Sequence, residues 1–559
     1  MTTPYGNYLR SSLKVIPLGG LGEFGQNMMA IEMSGEIVVI DAGLIFPDKD
    51  ILKADFGVPD ITYLEKNLDK VKGILITHGH EDHIGAIPYV ISRVNVPIYS
   101  SNLTNSLISS KLKSHGLLKE STLNIIDPEI PFFLGKFEIT FFRVCHSIPD
   151  SMGIAISTEL GTLIHTGDFK VDHTPQDGFA TDFSYLSNMA DKGILLLMSD
   201  STYAEMEGHS ESEIVVGKAL QEIIRNSKGR VLIATFASLI SRVQQIIDAA
   251  FSQGKKVSVV GRSMNNNVKM SLRMGYITDP GNVLIPIRQS AKLPDNKVVI
   301  IATGSQGEPS SVMSRISKGN HQQLSVKPDD TIVLSSSPIP GNETSVSKII
   351  DNLFRKGANV IYNRISKVHV HGHASKEELK LMLEVTNPKY FIPIHGEYRH
   401  LLAHAKISND LGRPNKNTFV LEDGDVLEIS HGSAEIVDRV ESGTIYMEGR
   451  NSMNSQGNLM KERMDLVSGG VVTITANISK VDNTIEGPIL YDSRGFQENN
   501  ENEPILKSSI KMVQTALEEK WLGVLDFTEI EKNVSDLVSE NIYKETEKRP
   551  VIMTLLKLI

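Results

Sequence analysis

An apolar run, Gly73-Ile74-Leu75-Ile76, leads directly into Thr77-His78-Gly79-His80-Glu81-Asp82-His83, where three histidines and two carboxylates fall within seven residues. Such a run reads as a buried strand that opens into a loop, and loops held by a rigid strand are where chemistry concentrates. His80 and Asp82 follow His78 at steps of two, with His83 adjacent. On a tight turn that spacing lets two imidazoles converge on one point while Asp82 and His83 converge on a second. Neutral imidazole and carboxylate oxygen suit zinc, and carboxylate also suits manganese. The pattern therefore predicts two divalent metals rather than one. A solvated polar turn is the plainer reading of any single histidine here, since His is a residue of intermediate burial; the whole set at this spacing favours ligation. Gly79 and Gly85 add room for close approach at the backbone.

The chain of 559 residues is long enough for about three or four domains. Its apolar share of 40% and charged share of 22% are those of a soluble globular protein. A formal charge of -10 gives no global positive field, so a polyanion would have to be held by a local groove. One cysteine, Cys145, excludes an internal disulfide and a Cys-based zinc ribbon. No apolar run approaches a membrane span, and the polar N-terminal residues lack a signal-peptide core, so a cytoplasmic protein without membrane contact is expected.

Gly20, Gly22 and Gly25 match the G-x-G-x-x-G spacing of a dinucleotide site, with Asp41 downstream as the ribose acid. That motif requires a helix at the third glycine. The following Asn27–Glu32 and Glu36–Asp41 are strand-like around a Ser34-Gly35 turn, so a hairpin is the better reading and the nucleotide fingerprint is rejected. An acidic loop (Phe46 to Asp55) comes next, and Ile84, Ile87, Val90 and Ile91 predict a helix after the histidine loop. Further strands end at His146, Asp168 and Asp200. From about Tyr203 to Ile361 strands at 231–236, 257–260, 298–303 and 331–335 alternate with helical spacing, which predicts a small doubly wound α/β unit. Two more strand ends, around Val368–Ser375 and Tyr390–Glu397, again carry histidines. The C-terminal part reads as a strand at Val471–Ile474, helices near 505–520 and 528–546, and a closing strand from Val551. Thr528-Glu529-Ile530-Glu531 has capping-box spacing at the second helix.

With His78-x-His80-x-Asp82-His83 followed by His146, Asp168 and His395, the chain resembles the metallo-β-lactamase superfamily. The α/β insertion between Asp200 and His373 narrows the resemblance to β-CASP nucleases. The stretches 19–25, 146–151, 167–170, 303–309, 335–341 and 392–398 resemble the ribonuclease J family in particular. The resemblance implies a metallo-β-lactamase αββα sandwich (1–205 and 361–430) with an inserted doubly wound β-CASP domain (206–360). It also implies a linker (431–455) and a small α+β C-terminal domain (456–559) that promotes self-association. Carried over, His78, His80 and His146 would hold one metal, Asp82, His83 and His395 the second, and Asp168 would bridge them.

The implied activity is a zinc-dependent ribonuclease, with manganese or magnesium as alternatives. It would have 5′-to-3′ exonuclease and endonuclease modes and act in RNA maturation and decay. Single-stranded RNA with a 5′-monophosphate would be the substrate, and a homodimer or homotetramer the assembly, with other RNA-decay proteins as further partners. His373 is the candidate general acid with Asp200 orienting it. Ala237, Ser238 and Leu239 together with His369, Val370, His371, Gly372, His373, Ala374 and Ser375 would cradle phosphate. Two departures touch that cradle: His371 stands where the family usually has a serine, and Leu239 and Ser241 replace its usual Asn and His or Tyr. A small-molecule metallo-hydrolase would leave the insertion without a task, and a non-catalytic partner subunit would not need the full ligand set.

Overall fold

In the computed structural model, residues 12–47, 54–308, 310–339, 342–449, 451–453, 458–482, 484–496, 503–521 and 526–559 are described. The expected loose N-terminus, most of the acidic loop, and Pro309, Pro340 and Gly341 of the motif stretches lie outside them.

The β-branched and apolar runs of the first 40 residues form antiparallel strands, Leu13–Gly19, Met28–Met33 and Glu36–Ile40. No helix opens in the glycine-rich turn between the first two, where Gly20, Gly22 and Gly25 all have positive φ. The hairpin reading therefore holds. Ser433–Arg439, Asp425–Ser430, Val71–Leu75, Ile98–Ser100 and Leu123–Ile125 complete an eight-stranded sheet. A second sheet has six strands in the order Tyr390–Ile394, Ile194–Asp200, Gly161–His165, Met152–Thr158, Phe137–Arg143 and Phe132–Leu134.

One core fills the space between the two sheets, with Val15, Ile31, Val38 and Leu75 from the first meeting Ile139, Ile154, Leu163 and Leu196 from the second. The alternate residues Phe142, Ile164, Leu197 and Phe391 point outward, where Leu186, Leu379 and Ile407 of three helices cover them. Period-two alternation thus gives the strands of the second sheet, its edge strand Phe132–Leu134 apart, two apolar faces, as a sheet buried on both sides requires. This is the αββα sandwich expected from the sequence.

The inserted unit is a five-stranded, wholly parallel sheet in the order Lys256–Val260, Val298–Ala302, Val231–Ala234, Thr331–Leu334, Asn359–Tyr362. Val231 and Ile233 face Val243 and Ile247 on one side, while Leu232 and Ala234 face Ile316 and Leu353 on the other. Helices on both faces make it doubly wound.

Several expectations change. The boundary at 360 cuts the strand Asn359–Tyr362, which the sequence reading missed; the half-exposed Asn359 and Tyr362 dilute its apolar signal. The linker set at 431–455 contains Ser433–Arg439, an exposed edge strand whose polar residues mimic a loop. The single helix after the metal loop is two short ones, Glu81–Ile84 and Ile87–Ile91. Residues 366–374 run as an extended loop rather than a strand.

The described residues within 47–56 and 445–559 form a separate compact unit. Its strands Leu490–Arg494, Val471–Ile478 and Val551–Leu558 make a three-stranded sheet. Val472, Ile474 and Ala476 are buried with Leu506 and Val513 of the helix Glu503–Ala516 and with Ile530, Val534 and Val538 of Phe527–Thr546. That last helix is capped by Asp526, whose carboxylate accepts from Glu529 N at 2.8 Å, so the capping box expected at Thr528 is not formed.

Candidate metal centre and active site

Strand ends of both sheets deliver their polar residues to one place. After Leu75 comes the histidine loop, after Arg143 comes His146, after His165 comes Asp168, and after Ile394 comes His395. His395 adopts φ 56° and Asp41 φ 61°, a left-handed turn that non-glycine residues reach only under constraint.

Asp168, 3% exposed, lies between two sets of donors. In the first, His80 Nδ1 is 3.0 Å from His78 Nε2 and 3.2 Å from His146 Nε2. Both Nε2 atoms are within 3.7 Å of Asp168 Oδ2. In the second, His83 Nε2 is 3.3 Å from Asp168 Oδ2 and 3.6 Å from Asp82 Oδ2, and His395 Nε2 is 4.0 Å from Asp82 Oδ2. The donor atoms of each set, with Asp168, lie within 4.8 Å of one another. Lone pairs brought this close in a dry site repel unless a cation sits among them, so the donors fit a pair of divalent ions.

The other ring nitrogens of His78, His83, His146 and His395 are tied. His83 Nδ1 donates to Asp41 Oδ2 (2.7 Å), His146 Nδ1 to Gly372 O (2.6 Å) and His395 Nδ1 to Asn27 Oδ1 (2.9 Å). Thr77 Oγ1 gives its hydrogen to Asp41 Oδ2 and so accepts from His78 Nδ1 at 3.1 Å. These outer partners fix each tautomer and turn the other nitrogen toward the centre. Asp41, Asn27 and Thr77 went unrecognised in the sequence. The glycine spacing offers Asp41 only as a ribose acid, although its place just after a buried strand is a signal of its own.

Electrostatics divide the histidines. Burial, reinforced by His83, holds His78 well below its usual pKa, and burial brings His80 down to about 4 and lowers His146 strongly. These are the neutral imidazoles a metal needs. Burial also opposes charge on His83, but Asp168, Asp82 and Asp41 outweigh it and raise its pKa.

Beside the donors, His373 Nδ1 lies 2.8 Å from Asp200 Oδ2, and Asp200 Oδ1 accepts from Thr202 N (2.9 Å) and Oγ1 (2.7 Å). Against the cost of burial, Asp200 lifts the His373 pKa to about 9. Its other nitrogen, Nε2, is left to hold a proton.

The residues expected to cradle phosphate lie on two stretches, 237–239 and 369–375. Gly372 touches His146, where a Cβ would come within 2.9 Å of Cε1. His369 and His371 are half-buried on the same extended stretch. Val370, Ala374 and Leu239 instead bury their side chains. Ser375 is buried and begins the helix Lys376–Thr386, its N–H donating to Glu378 Oε2 at 2.7 Å. Leu239 and Ile240 spend their N–H groups on Phe236 O and Ser238 O, leaving Ala237 and Ser238 at the helix start.

Comparison with known proteins places these elements. Residues 21–196 match the metallo-beta-lactamase superfamily, 228–353 the model described as "Ribonuclease J, beta-CASP domain", 358–420 the "Zn-dependent metallo-hydrolase RNA specificity domain" and 458–557 the "Ribonuclease J C-terminal domain". Ribonuclease J 1 of Streptococcus pyogenes is 38% identical, the match covering 97% of each chain. Ribonuclease J2 of Bacillus subtilis is 36% identical over 98% of each, and ribonuclease J of Helicobacter pylori 37% identical over 97% of this chain and 79% of its own. A crystal structure of a protein of unknown function from Enterococcus faecalis shares the fold at a TM-score of 0.52 and 16% identity, covering 75% of this chain and 100% of that one. A near full-length match to such relatives, on a sandwich with a parallel-sheet insertion and two donor sets at its edge, means that the chain belongs to the ribonuclease J family.

Proposed function

We propose that the protein is a metal-dependent ribonuclease that hydrolyses phosphodiester bonds of single-stranded RNA in RNA maturation and decay, with both 5′-to-3′ exonuclease and endonuclease modes. The observation that carries this reading is the pair of donor sets sharing Asp168, with the His373–Asp200 couple beside them.

His78, His80 and His146 would hold one ion, Asp82, His83 and His395 the other, and Asp168 both. Zinc is the favoured ion: donors on one tetrahedral zinc stand about 3.3 Å apart for bonds of about 2.05 Å, close to the His80–His78 and His80–His146 separations. Manganese and magnesium are the alternatives. Two bound ions would supply an ionised water at neutral pH and neutralise charge on the scissile phosphate.

The chain's own residues do the rest. Asp200, fixed by Thr202, holds His373 in one tautomer and keeps it cationic, so Nε2–H can protonate the leaving 3′-oxygen and a 5′-phosphate product results. Ala237 and Ser238, at the start of the helix Ile240–Ser252, and the loop from His369 to Gly372 form the binding surface for the RNA 5′ end. The C-terminal unit promotes assembly into a homodimer or homotetramer.

End-labelled, 5′-monophosphorylated single-stranded RNA with added zinc or manganese tests the reading. Mononucleotide release supports the exonuclease mode and internal fragments the endonuclease mode. No cleavage with either ion would overturn the proposal.

A further inference from the structure

Glu378 is a carboxylate that the chemistry above does not use, yet it is 1% exposed and bonded on both oxygens. Its Oε2 accepts from Ser375 N at 2.7 Å and Ser210 N at 2.9 Å, and its Oε1 from Val171 N at 3.0 Å and Ser210 Oγ at 2.5 Å. Capping the helix Lys376–Thr386 needs only the Ser375 bond. The other three donors come from two segments far away in the chain, and each of the three segments carries a residue of the reacting centre. Val171 follows Asp168 by three residues, Ser375 follows His373 by two, and Ser210 closes the segment that leaves Asp200. That last segment is itself laid along the helix start. Tyr203 bridges to Ser375, and Met206 O and Gly208 O accept from Lys376 N at 3.0 Å and Glu377 N at 3.1 Å.

We infer that Glu378 is a positioning residue for the His373–Asp200 couple: by binding three segments at one point it sets His373 against both Asp200 and Asp168, so that Nε2–H meets the leaving 3′-oxygen. The inference rests on the ribonuclease reading above. His373 Nδ1 is 2.8 Å from Asp200 Oδ2 and 4.0 Å from Asp168 Oδ2, a fit that joins the loop after the insertion to two strand ends of the sandwich. In the step it serves, the oxygen of water bonds to phosphorus, the P–O3′ bond breaks with its electron pair on O3′, and O3′ takes the proton from Nε2. A shift of about 1 Å in a group so placed costs about 10²-fold in rate.

The joint calls for a carboxylate. Four donors are as many as an ionised carboxylate takes, and a glutamine turned either way would set its –NH2 against backbone N–H, that of Val171 in one setting and those of Ser375 and Ser210 in the other. Such a joint would open without loss of the fold, because other bonds span the first two segments. The buried Lys170 donates to Glu211 O at 3.2 Å, and Asp172 Oδ2 accepts from Glu213 N at 3.2 Å.

The test uses RNA whose scissile linkage carries either the natural bridging 3′-oxygen or a 3′-sulfur, with the full-length metal-loaded protein. A thiolate leaves without needing a proton, so misplacement of the acid slows the oxygen substrate and spares the sulfur one. Glu378→Gln should lower kcat on the oxygen RNA about 10²-fold with KM and bound metal unchanged, and on the sulfur RNA by less than about threefold. Ser210→Ala removes one donor and keeps the carboxylate; it should show the same contrast at about fivefold, and it decides the matter if Glu378→Gln does not fold. Equal losses on the two substrates, loss of metal, or no loss on the oxygen RNA overturns the inference. An equal loss on both substrates in His373→Ala would remove His373 as the acid, and the inference with it. Failure of the unaltered protein to cleave the oxygen RNA would instead sink the ribonuclease reading.

Discussion

His83 illustrates how little of a candidate metal ligand's behaviour resides in its own side chain. Its Nε2 faces Asp82 and Asp168 because its Nδ1 is bonded to Asp41, which is itself held by Thr77 through both N–H and Oγ1 at 2.8 Å. Asp41→Ala should weaken the binding of one of two ions by about 10- to 100-fold, as loss of an outer partner commonly does. Calorimetric titration of the stripped protein reads this directly, and two unchanged affinities would refute it. Asp200 plays the corresponding part for His373. Asp200→Asn should reduce turnover about 10²- to 10⁴-fold with metal content unchanged. The sign of the pH effect follows from the cause: Asp200 raises the His373 pKa, the acid works only when protonated, and activity is therefore lost as pH rises through that pKa. Without the carboxylate the pKa falls, so the alkaline limb of the rate profile moves to lower pH; a limb that stays in place would rule out His373 as the acid.

Strands rather than helices position this site, because each ends at the sheet edge with its next residues already aimed at the centre. The turn after Glu36–Ile40 shows how tight the fit is. Leu44 N donates to Glu81 O at 3.0 Å and Ala42 N to His83 O at 2.8 Å, so this turn and the histidine loop are bonded backbone to backbone. Between them Gly43 lies so close that a Cβ would fall 1.6 Å from Asp82 O. Main chain cannot give way as a side-chain end can. Gly43→Ala should cost about 3 kcal/mol or more, the upper range for overpacking, and should release metal before it unfolds the sandwich. Denaturant melts with parallel metal analysis would show it, and a stable, fully loaded variant would contradict the packing argument. Gly43 carries negative φ and has no motif around it, so its role was invisible until the two loops were seen together. The same holds for Asn359–Tyr362 and Ser433–Arg439: edge strands expose polar residues, and their pairing partners lie far away in sequence.

The charge of -10 gives no general field to gather RNA, which leaves its recognition to local donors. In the C-terminal unit, among the described residues, the helices Glu503–Ala516 and Phe527–Thr546 pack on one face of the sheet. Register places Met553 beside Thr473 and Leu555 beside Thr475, away from the buried Val472 and Ile474, and Leu490 sits opposite Thr475 on the same side. Met553, Leu555 and Leu490 are 50%, 51% and 61% exposed, an apolar face suited to a second copy. Met553→Glu with Leu555→Glu should reduce the solution mass measured by light scattering while circular dichroism is unchanged; an unaltered mass would contradict the proposed self-association through this face.

Local chemistry is legible in the sequence alone. The run Gly73–Ile76 into His78–His83, the lone histidines and aspartates after apolar strands, and the alternating helix and strand signals of the insertion are each written within a few consecutive residues, because strand burial and ligand spacing are short-range properties. Distance and direction are not. Which nitrogen of His83 or His146 is left to face the centre depends on Asp41 and on the Gly372 carbonyl, and which face of Val551–Leu558 is buried depends on helices that precede it. Those outcomes arise from contacts between residues far apart in the chain, where burial and hydrogen-bond partners are assigned by packing, and packing has no signature in a linear pattern.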